Sequence, residues 1–249
     1  MFGGDTGDRP GEFQTWVEQL PLPEKLSFPQ GYRDLRYNPE KGVLGIVTGV
    51  GTARAAASIM ALGMDRRFDL SRAYWLVAGI AGVNPNEASI GSAAWAEWVV
   101  DGDLGFEIDA REIPAGWPTG FIPLGRAHPY EEPATDIDKQ LTAWTAYWTA
   151  GKGRFVMTAM EDTGIAQSLT FLAKAGRADI GRLMVLRTGS NYQMPYSGRS
   201  AADHIAALKR GEYPALTPAF AAAYRVGSVV VQEIVGHWDK YADTIPSGS

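Results

Sequence analysis

Short apolar runs that end in glycine or other small residues alternate with longer segments of helical periodicity along most of the chain. Residues 42–48 (GVLGIVT) read as a buried strand, followed by the turn Gly49-Val50-Gly51-Thr52 and an Ala-rich helix over 53–63. Residues 73–78 (AYWLVA) predict a second strand, which runs out in Gly79-Ile80-Ala81-Gly82. The stretch 90–100 is strand-like in its β-branched and aromatic residues; 155–159 and 183–188 predict further strands, with a helix over 161–175 between them. Residues 201–210 and 218–238 carry helical periodicity, 12–20 a short helix, and 141–150 an aromatic helix or strand. This alternation predicts an α/β fold, a twisted, mixed but mainly parallel sheet with helices on both faces. We expect a single domain over 1–249, with an irregular segment over 1–40 and an acidic Pro/Gly-rich loop over 101–140. The strands that begin at Gly42, Ala73, Phe155 and Leu183 are expected side by side in one sheet.

Composition removes several function classes. A chain of 249 residues, 45% hydrophobic and 20% charged, can bury a sizeable core. A net charge of −5 argues against a nucleic-acid partner, whose binding surfaces are basic. The absence of cysteine excludes disulfides, thiolate metal ligands and a cysteine nucleophile. His128, His204 and His237 have no metal-ligand spacing, so neither metal nor cofactor is expected; His204 and His237 read as surface or packing residues of helices. No apolar run reaches the ~20 residues of a membrane helix, and the polar opening MFGGDTGDRPGEF lacks a signal-peptide pattern. We therefore expect a soluble chain without a transmembrane segment, its compartment left open.

Candidate chemistry collects just past the strand ends, where open α/β sheets bind ligands. Gly49-Val50-Gly51-Thr52 can turn backbone N–H groups of Gly51 and Thr52 toward an anion or a sugar oxygen, although a plain tight turn has the same composition. Met160-Glu161-Asp162-Thr163-Gly164 puts an acid at the head of a helix. Asp162 or Thr163 suits the helix cap, which leaves Glu161 to point elsewhere. Asn191 follows Ser190 past a strand, where Asn is also a common turn residue. Tyr192, Met194 and Tyr196 can stack on a flat ring or pack among themselves. A carboxylate for two sugar hydroxyls and an amide for a ring nitrogen suit a ribose and a purine.

The stretches GVLGIVTGVGTARAAASIMALG, AYWLVAGIAGVNP, IGSAAWAEWVVDGDL, EIDAREIP, FVMTAMEDTG, VLRTGSNYQMP and AAYRVGSVVVQEIV together resemble the purine nucleoside permease family. The resemblance covers about residues 5–125 and 141–246. That family in turn resembles the nucleoside phosphorylase/nucleosidase superfamily, which implies a phosphorylase-like α/β fold and a purine nucleoside ligand. It implies that Met160 and Glu161 contact ribose, that Asn191 contacts the purine, and that Gly79, Ala81 and Gly82 line the pocket. Three departures stand beside it. The superfamily's first buried strand is missing before Met1-Phe2-Gly3-Gly4, and the polar loop remnant Asp5, Asp8 and Glu12 gives no assignable base. Val77 and Ile80 occupy places where phosphorolytic members carry phosphate ligands. A long segment between the Pro-rich loop and the aromatic helix is absent, so that Asp136 runs almost directly into Leu141 and one pocket wall is shortened.

The expected activity is cleavage of the N-glycosidic bond of a purine nucleoside, with Glu161 and Asn191 as catalytic residues. Gly51, Thr52, Gly79, Ala81, Gly82, Met160 and Tyr192 are the further substrate contacts. Water is the expected acceptor; phosphate, held by Gly51, Thr52 and Arg54 or by a neighbouring subunit, is its competitor. The alternative from another class is a nucleoside-binding protein for uptake or sensing, without turnover. Trp95, Trp98, Trp144 and Trp148 read as core or subunit-contact surface, and a homo-oligomer, trimer or dimer, is expected.

Overall fold

The computed structural model describes residues 5–129 and 136–246. Met1-Phe2-Gly3-Gly4 and the centre of the acidic loop, 130–135, therefore lie outside the described residues. The elements are α1 (Gln14–Gln19), β1 (Glu24–Leu26), β2 (Leu35–Asn38), β3 (Val43–Gly45), α2 (Thr52–Met64), β4 (Trp75–Val83), β5 (Ala93–Trp95), β6 (Gly105–Glu107) and β7 (Phe121–Pro123). They continue with α3 (Ile137–Trp148), β8 (Met157–Thr158), α4 (Asp162–Lys174), β9 (Leu183–Tyr192), α5 (Ala201–Lys209), α6 (Leu216–Gly236) and α7 (Trp238–Tyr241).

The fold is mixed α/β, as the alternation predicts. Its central sheet has the order β5-β9-β4-β8. β4 and β9 run parallel through nine register pairs, from Trp75↔Leu183 to Val83↔Tyr192. The edge strands β5 and β8 are antiparallel and short, with three and two pairs. By paired length the sheet is therefore mainly parallel. Period-2 alternation sends Trp75, Val77 and Leu183 toward α2 and α4, where Ile59, Leu62, Ile165, Leu169 and Leu172 close the larger core. The other face carries Leu186 and Thr188 to α6, whose Ala219, Ala223 and Gly227 form a small-residue strip. A Cβ on Gly227 would come within 2.7 Å of the Trp16 ring, so that glycine is what lets α1 lie against α6.

One expected pairing is corrected. The strands at Ala73, Phe155 and Leu183 share the sheet, but the strand at Gly42 is only Val43–Gly45 and pairs with β2 in a separate antiparallel sheet β1-β2-β3. Two short strands inside the nominally irregular first forty residues take its edge, and Leu35 of β2 with Phe28 from the connection between them covers the α2/α4 core. The strand-like stretch 90–100 pairs only over Ala93–Trp95. The acidic loop contains the β6–β7 hairpin, and the segment left as helix or strand is α3, capped by the Asp136 carboxylate accepting from Lys139 N–H at 2.9 Å.

Leu169 has no exposed surface at the centre of the α2/α4 core. Leu169→Ala is expected to lower the free energy of unfolding by about 2–5 kcal/mol without changing the denaturant slope, measured by urea titration. A loss under about 1 kcal/mol would mean that this core repacks around the cavity.

Candidate functional site

The Gly49-to-Thr52 turn and the segment 159–161 enter their helices side by side. Gly49 and Gly51 take φ of 81° and 96°, a left-handed range that favours glycine, and bring the N-terminus of α2 against that of α4. The Thr52 hydroxyl donates to the Met160 carbonyl at 2.8 Å. Glu161 stands at the α4 N-cap, yet its carboxylate makes no bond to its own helix. Its Oε1 accepts instead from the Gly51 N–H at 2.9 Å, and Glu161 is only 6% exposed. Met160, one residue earlier, is 60% exposed.

A buried ion cluster lies behind that carboxylate. Arg187, on β9, projects toward α4 and donates to Asp162 from both Nε and Nη2, with Nε 3.0 and 3.1 Å from the two carboxylate oxygens. Asp162 is thus drawn off the helix cap expected of it. The same guanidinium lies 3.5 Å from Glu161 Oε2, and its Nη1 donates to the Ile80 carbonyl at 3.3 Å. The other side of that residue is held by Glu12, whose Oε1 accepts from the Ile80 N–H at 2.7 Å. Burial alone disfavours the guanidinium charge, but Asp162, with Glu161 and Glu12 behind it, outweighs burial and raises the Arg187 pKa. A Cβ on Gly79 would sit 2.8 Å from Glu12 Oε1 and closer still to Arg187 Nη1, so this small residue makes the room the two side chains share. Thr48, Glu12, Glu161 and Arg187 line a cavity of about 100 Å³ with Ile59 and Ile165 beneath. That volume takes a few water molecules and is too small for a nucleoside.

Glu12 reaches this place because the chain before α1 is tied down. Asp5 is buried and accepts from the N–H groups of Gly7 and Phe13. α1 then docks on α6 through Trp16 and Tyr224, ring centroids 5.2 Å apart.

The other expected residues gather farther along the same strands. The β4–β9 register shifts between Ala81 and Gly82, so that Asn191 pairs with Gly82 and Tyr192 with Val83. Such a bulge re-aims the side chains that follow it. Asn191 is buried; its Oδ1 accepts from Ser190 Oγ at 2.9 Å and its Nδ2 donates to the Tyr192 carbonyl at 2.9 Å. The Ala81 carbonyl accepts from Ser190 Oγ at 3.3 Å. Gln193 Nε2 donates to Asp138 of α3, so the first turn of α3 lies against this end of the strand. Burial pushes the Asp138 carboxyl above its usual range. On β9, Arg187 and Asn191 are separated by about 13 Å at 3.3 Å per residue.

The fold therefore brings together Gly51, Thr52, Gly79, Met160 and Glu161 around Arg187, and Ala81, Gly82, Asn191 and Tyr192 around the bulge. Thr158, paired with Gly82 two residues before Met160, joins the two groups. Sequence reasoning assigned no role to Arg187, gave Asp162 only a helix-cap role, and left Glu12 unassigned. One signal was available: an arginine inside an apolar run is rarely buried without partners. His204, expected at a surface or in plain packing, is buried with Nε2 3.0 Å from the Tyr192 carbonyl. A cavity of about 420 Å³ at the opposite ends of β4 and β9, lined by Tyr74, Arg182, Met184 and Ile234, contains none of the expected residues.

Comparison with known proteins gives a consistent picture. Residues 1–142 and 135–246 match the purine nucleoside permease family. A purine nucleoside permease of Candida albicans is 24% identical over 301 residues, covering 92% of this chain and 73% of the relative. A probable purine nucleoside permease of Schizosaccharomyces pombe is also 24% identical, covering 83% and 80%. Among solved structures, a 5'-methylthioadenosine/S-adenosylhomocysteine nucleosidase from Streptococcus pneumoniae shares the fold with a TM-score of 0.56 at 15% identity, over 90% of this chain and 95% of that one. The corresponding nucleosidase from Neisseria meningitidis aligns with a TM-score of 0.51 at 15% identity, over 88% and 95%.

Arg187→Gln removes the cation from the buried acids Glu12 and Glu161 and the half-buried Asp162. It is expected to destabilise the fold by about 3–5 kcal/mol, measured by urea unfolding at neutral pH. An effect under about 1 kcal/mol would mean that Asp162 and Glu161 are held by other groups.

Proposed function

The chain belongs to the purine nucleoside permease family, and from that premise we propose that it binds purine nucleosides and cleaves their N-glycosidic bond with water. The observation that carries this reading is the small cavity beside the first half of β4, where Glu12, Glu161 and Arg187 converge. Its size suits water, and its charged lining suits a water held and polarised beneath a bound sugar. The nucleoside itself then lies above the cavity, with Met160 against the ribose and the base toward the bulge.

In this reading Glu161 accepts hydrogen bonds from the ribose hydroxyls through lone pairs that Gly51 and Arg187 leave open. Glu12 takes a proton from the cavity water as its oxygen bonds to C1′. The C1′–N9 bond breaks and its electron pair leaves with the purine, which Asn191 stabilises through its second Nδ2 hydrogen; solvent supplies the proton that completes the free base. Gly79, Ala81 and Gly82 keep the floor of the site free of side chains, and Tyr192 flanks the base. Phosphate as acceptor has less support, because the Thr52 hydroxyl is already spent on Met160 and Arg54 lies over the Tyr32 ring, 5.9 Å from its centroid. The second reading, binding for uptake without turnover, is favoured by the names of the fungal relatives. Among the described residues no helix is long and apolar enough to cross a membrane.

We further propose a homo-oligomer, dimer or trimer, since Trp95, Trp98 and Phe106 are exposed. Light scattering at micromolar concentration is expected to give two or three times the chain mass; a monomer mass contradicts it.

Glu161→Gln is expected to keep the fold and weaken nucleoside binding by about 1.5–3 kcal/mol, read by calorimetry with inosine, adenosine and guanosine. Glu12→Gln is expected to bind like the parent and to lose turnover by about 100-fold or more, the scale of a lost general base. Asn191→Ala is expected to lose about 100- to 1000-fold in turnover together with base selectivity. Parent-like binding by Glu161→Gln overturns the placement of the sugar, and parent-like turnover by Glu12→Gln overturns the placement of the water.

A further inference from the structure

We infer that His204 is a positioning residue that fixes which atoms Asn191 presents to the purine, acting through the Tyr192 carbonyl; the inference rests on the nucleoside reading above. Three observations carry it. His204 is buried on α5, outside the strands and turns that build the site. Its Nε2 is 3.0 Å from the Tyr192 carbonyl oxygen, and a carbonyl only accepts, so Nε2 carries the proton. The same oxygen accepts from Asn191 Nδ2 at 2.9 Å.

The Tyr192 carbonyl is therefore a shared acceptor that binds two side-chain donors. Tyr192 is the last residue of β9, and the peptide group that carries its carbonyl has one bond to the sheet, from the Gln193 N–H to the Val83 carbonyl at 3.2 Å. The His204 N–H adds a second restraint from α5. On the upstream side, the Ser190 carbonyl accepts from the Ala215 N–H at 2.9 Å, just before α6. The bulge is thus gripped on both sides of Asn191 by backbone acceptors with partners on other elements.

A fixed Tyr192 carbonyl has a chemical consequence. An amide side chain can be turned over at little steric cost, exchanging its donor and acceptor ends. With an acceptor held against one end, Asn191 keeps Nδ2 there and Oδ1 toward Ser190 Oγ. One Nδ2 hydrogen and one Oδ1 lone pair remain for a ligand, each in a set direction. Without the His204 N–H, the carbonyl keeps only the ladder bond of its own peptide group to limit its tilt, and the reference that sets donor from acceptor in the amide is loosened. The base then meets a mixture of orientations, and discrimination between bases falls before the fold is lost.

The test compares the parent chain with His204→Gln, whose amide can place an N–H near the position of Nε2, and His204→Leu, which keeps bulk without a donor. Side-chain amide proton exchange of Asn191 is read by NMR without ligand, the signal being assigned by its loss in Asn191→Ala. We expect exchange in His204→Gln within about twofold of the parent and about tenfold faster exchange in His204→Leu, the scale of one hydrogen bond. With inosine and adenosine added, His204→Leu is expected to lose about tenfold in the ratio of the two affinities while His204→Gln keeps it. Unchanged Asn191 exchange in His204→Leu overturns the inference, as does equal loss of the affinity ratio in both variants. A parent that binds neither nucleoside overturns the functional reading alone, because the exchange measurement without ligand still decides the placement. Should His204→Leu fail to fold, the His204→Ala exchange rate decides it against the same parent.

Discussion

One guanidinium holds the centre of this structure in its present form. Arg187 is buried on β9 and faces three acids from two separate parts of the chain: Glu12 before α1, and Glu161 and Asp162 at the head of α4. A charge taken out of water costs several kcal/mol unless it is paired, so each acid is under strong pressure to stay where it is. That pressure sets the geometry around it. Asp162 is drawn off its helix cap, Glu161 is left with its Oε1 on the Gly51 N–H, and Glu12 grips the Ile80 N–H. Gly79 must lack a side chain for the same reason. A cavity with charged walls remains among these groups, and it can be polar because the ions pay one another's desolvation.

The arrangement also depends on how the segment before α1 is held. Glu12 comes from an irregular loop, but Asp5 folds that loop on itself and Trp16 anchors the following helix on α6. The carboxylate thereby reaches the ends of β4 and β9 from outside the sheet. At the far end of β9, Asp138 at the start of α3 meets Gln193. The family match runs over 1–142 and 135–246, and the fold is shared with solved nucleosidases.

Much of the fold was legible because its signals are local. The apolar runs at 73–78 and 183–188, each ending in small residues, mark β4 and β9, and the alternation around them gives the layer order. Glu161 and Asn191 stood out because both follow such runs. What escaped the sequence depends on contacts distant along the chain. Asp162 is 25 residues from Arg187, and Glu12 is 68 from Ile80, and no spacing rule links either pair. β3 was misplaced because its partner β2 lies in a Pro/Gly-rich stretch with weak periodicity. His204 looked ordinary because its only distinguishing feature is a bond to a backbone oxygen, which a sequence does not display.

The central claim is that water in the Glu12–Glu161–Arg187 cavity attacks C1′ of a bound purine nucleoside. Incubation of the purified chain with inosine in water enriched in oxygen-18, without phosphate, tests it most directly, with hypoxanthine and ribose separated and weighed by mass spectrometry. The account predicts hypoxanthine and ribose in equal amounts, the ribose carrying the heavy oxygen on C1 at release, before anomeric exchange labels a ribose control to the same extent. Tight inosine binding with no free base, or base release only when phosphate is added, contradicts it.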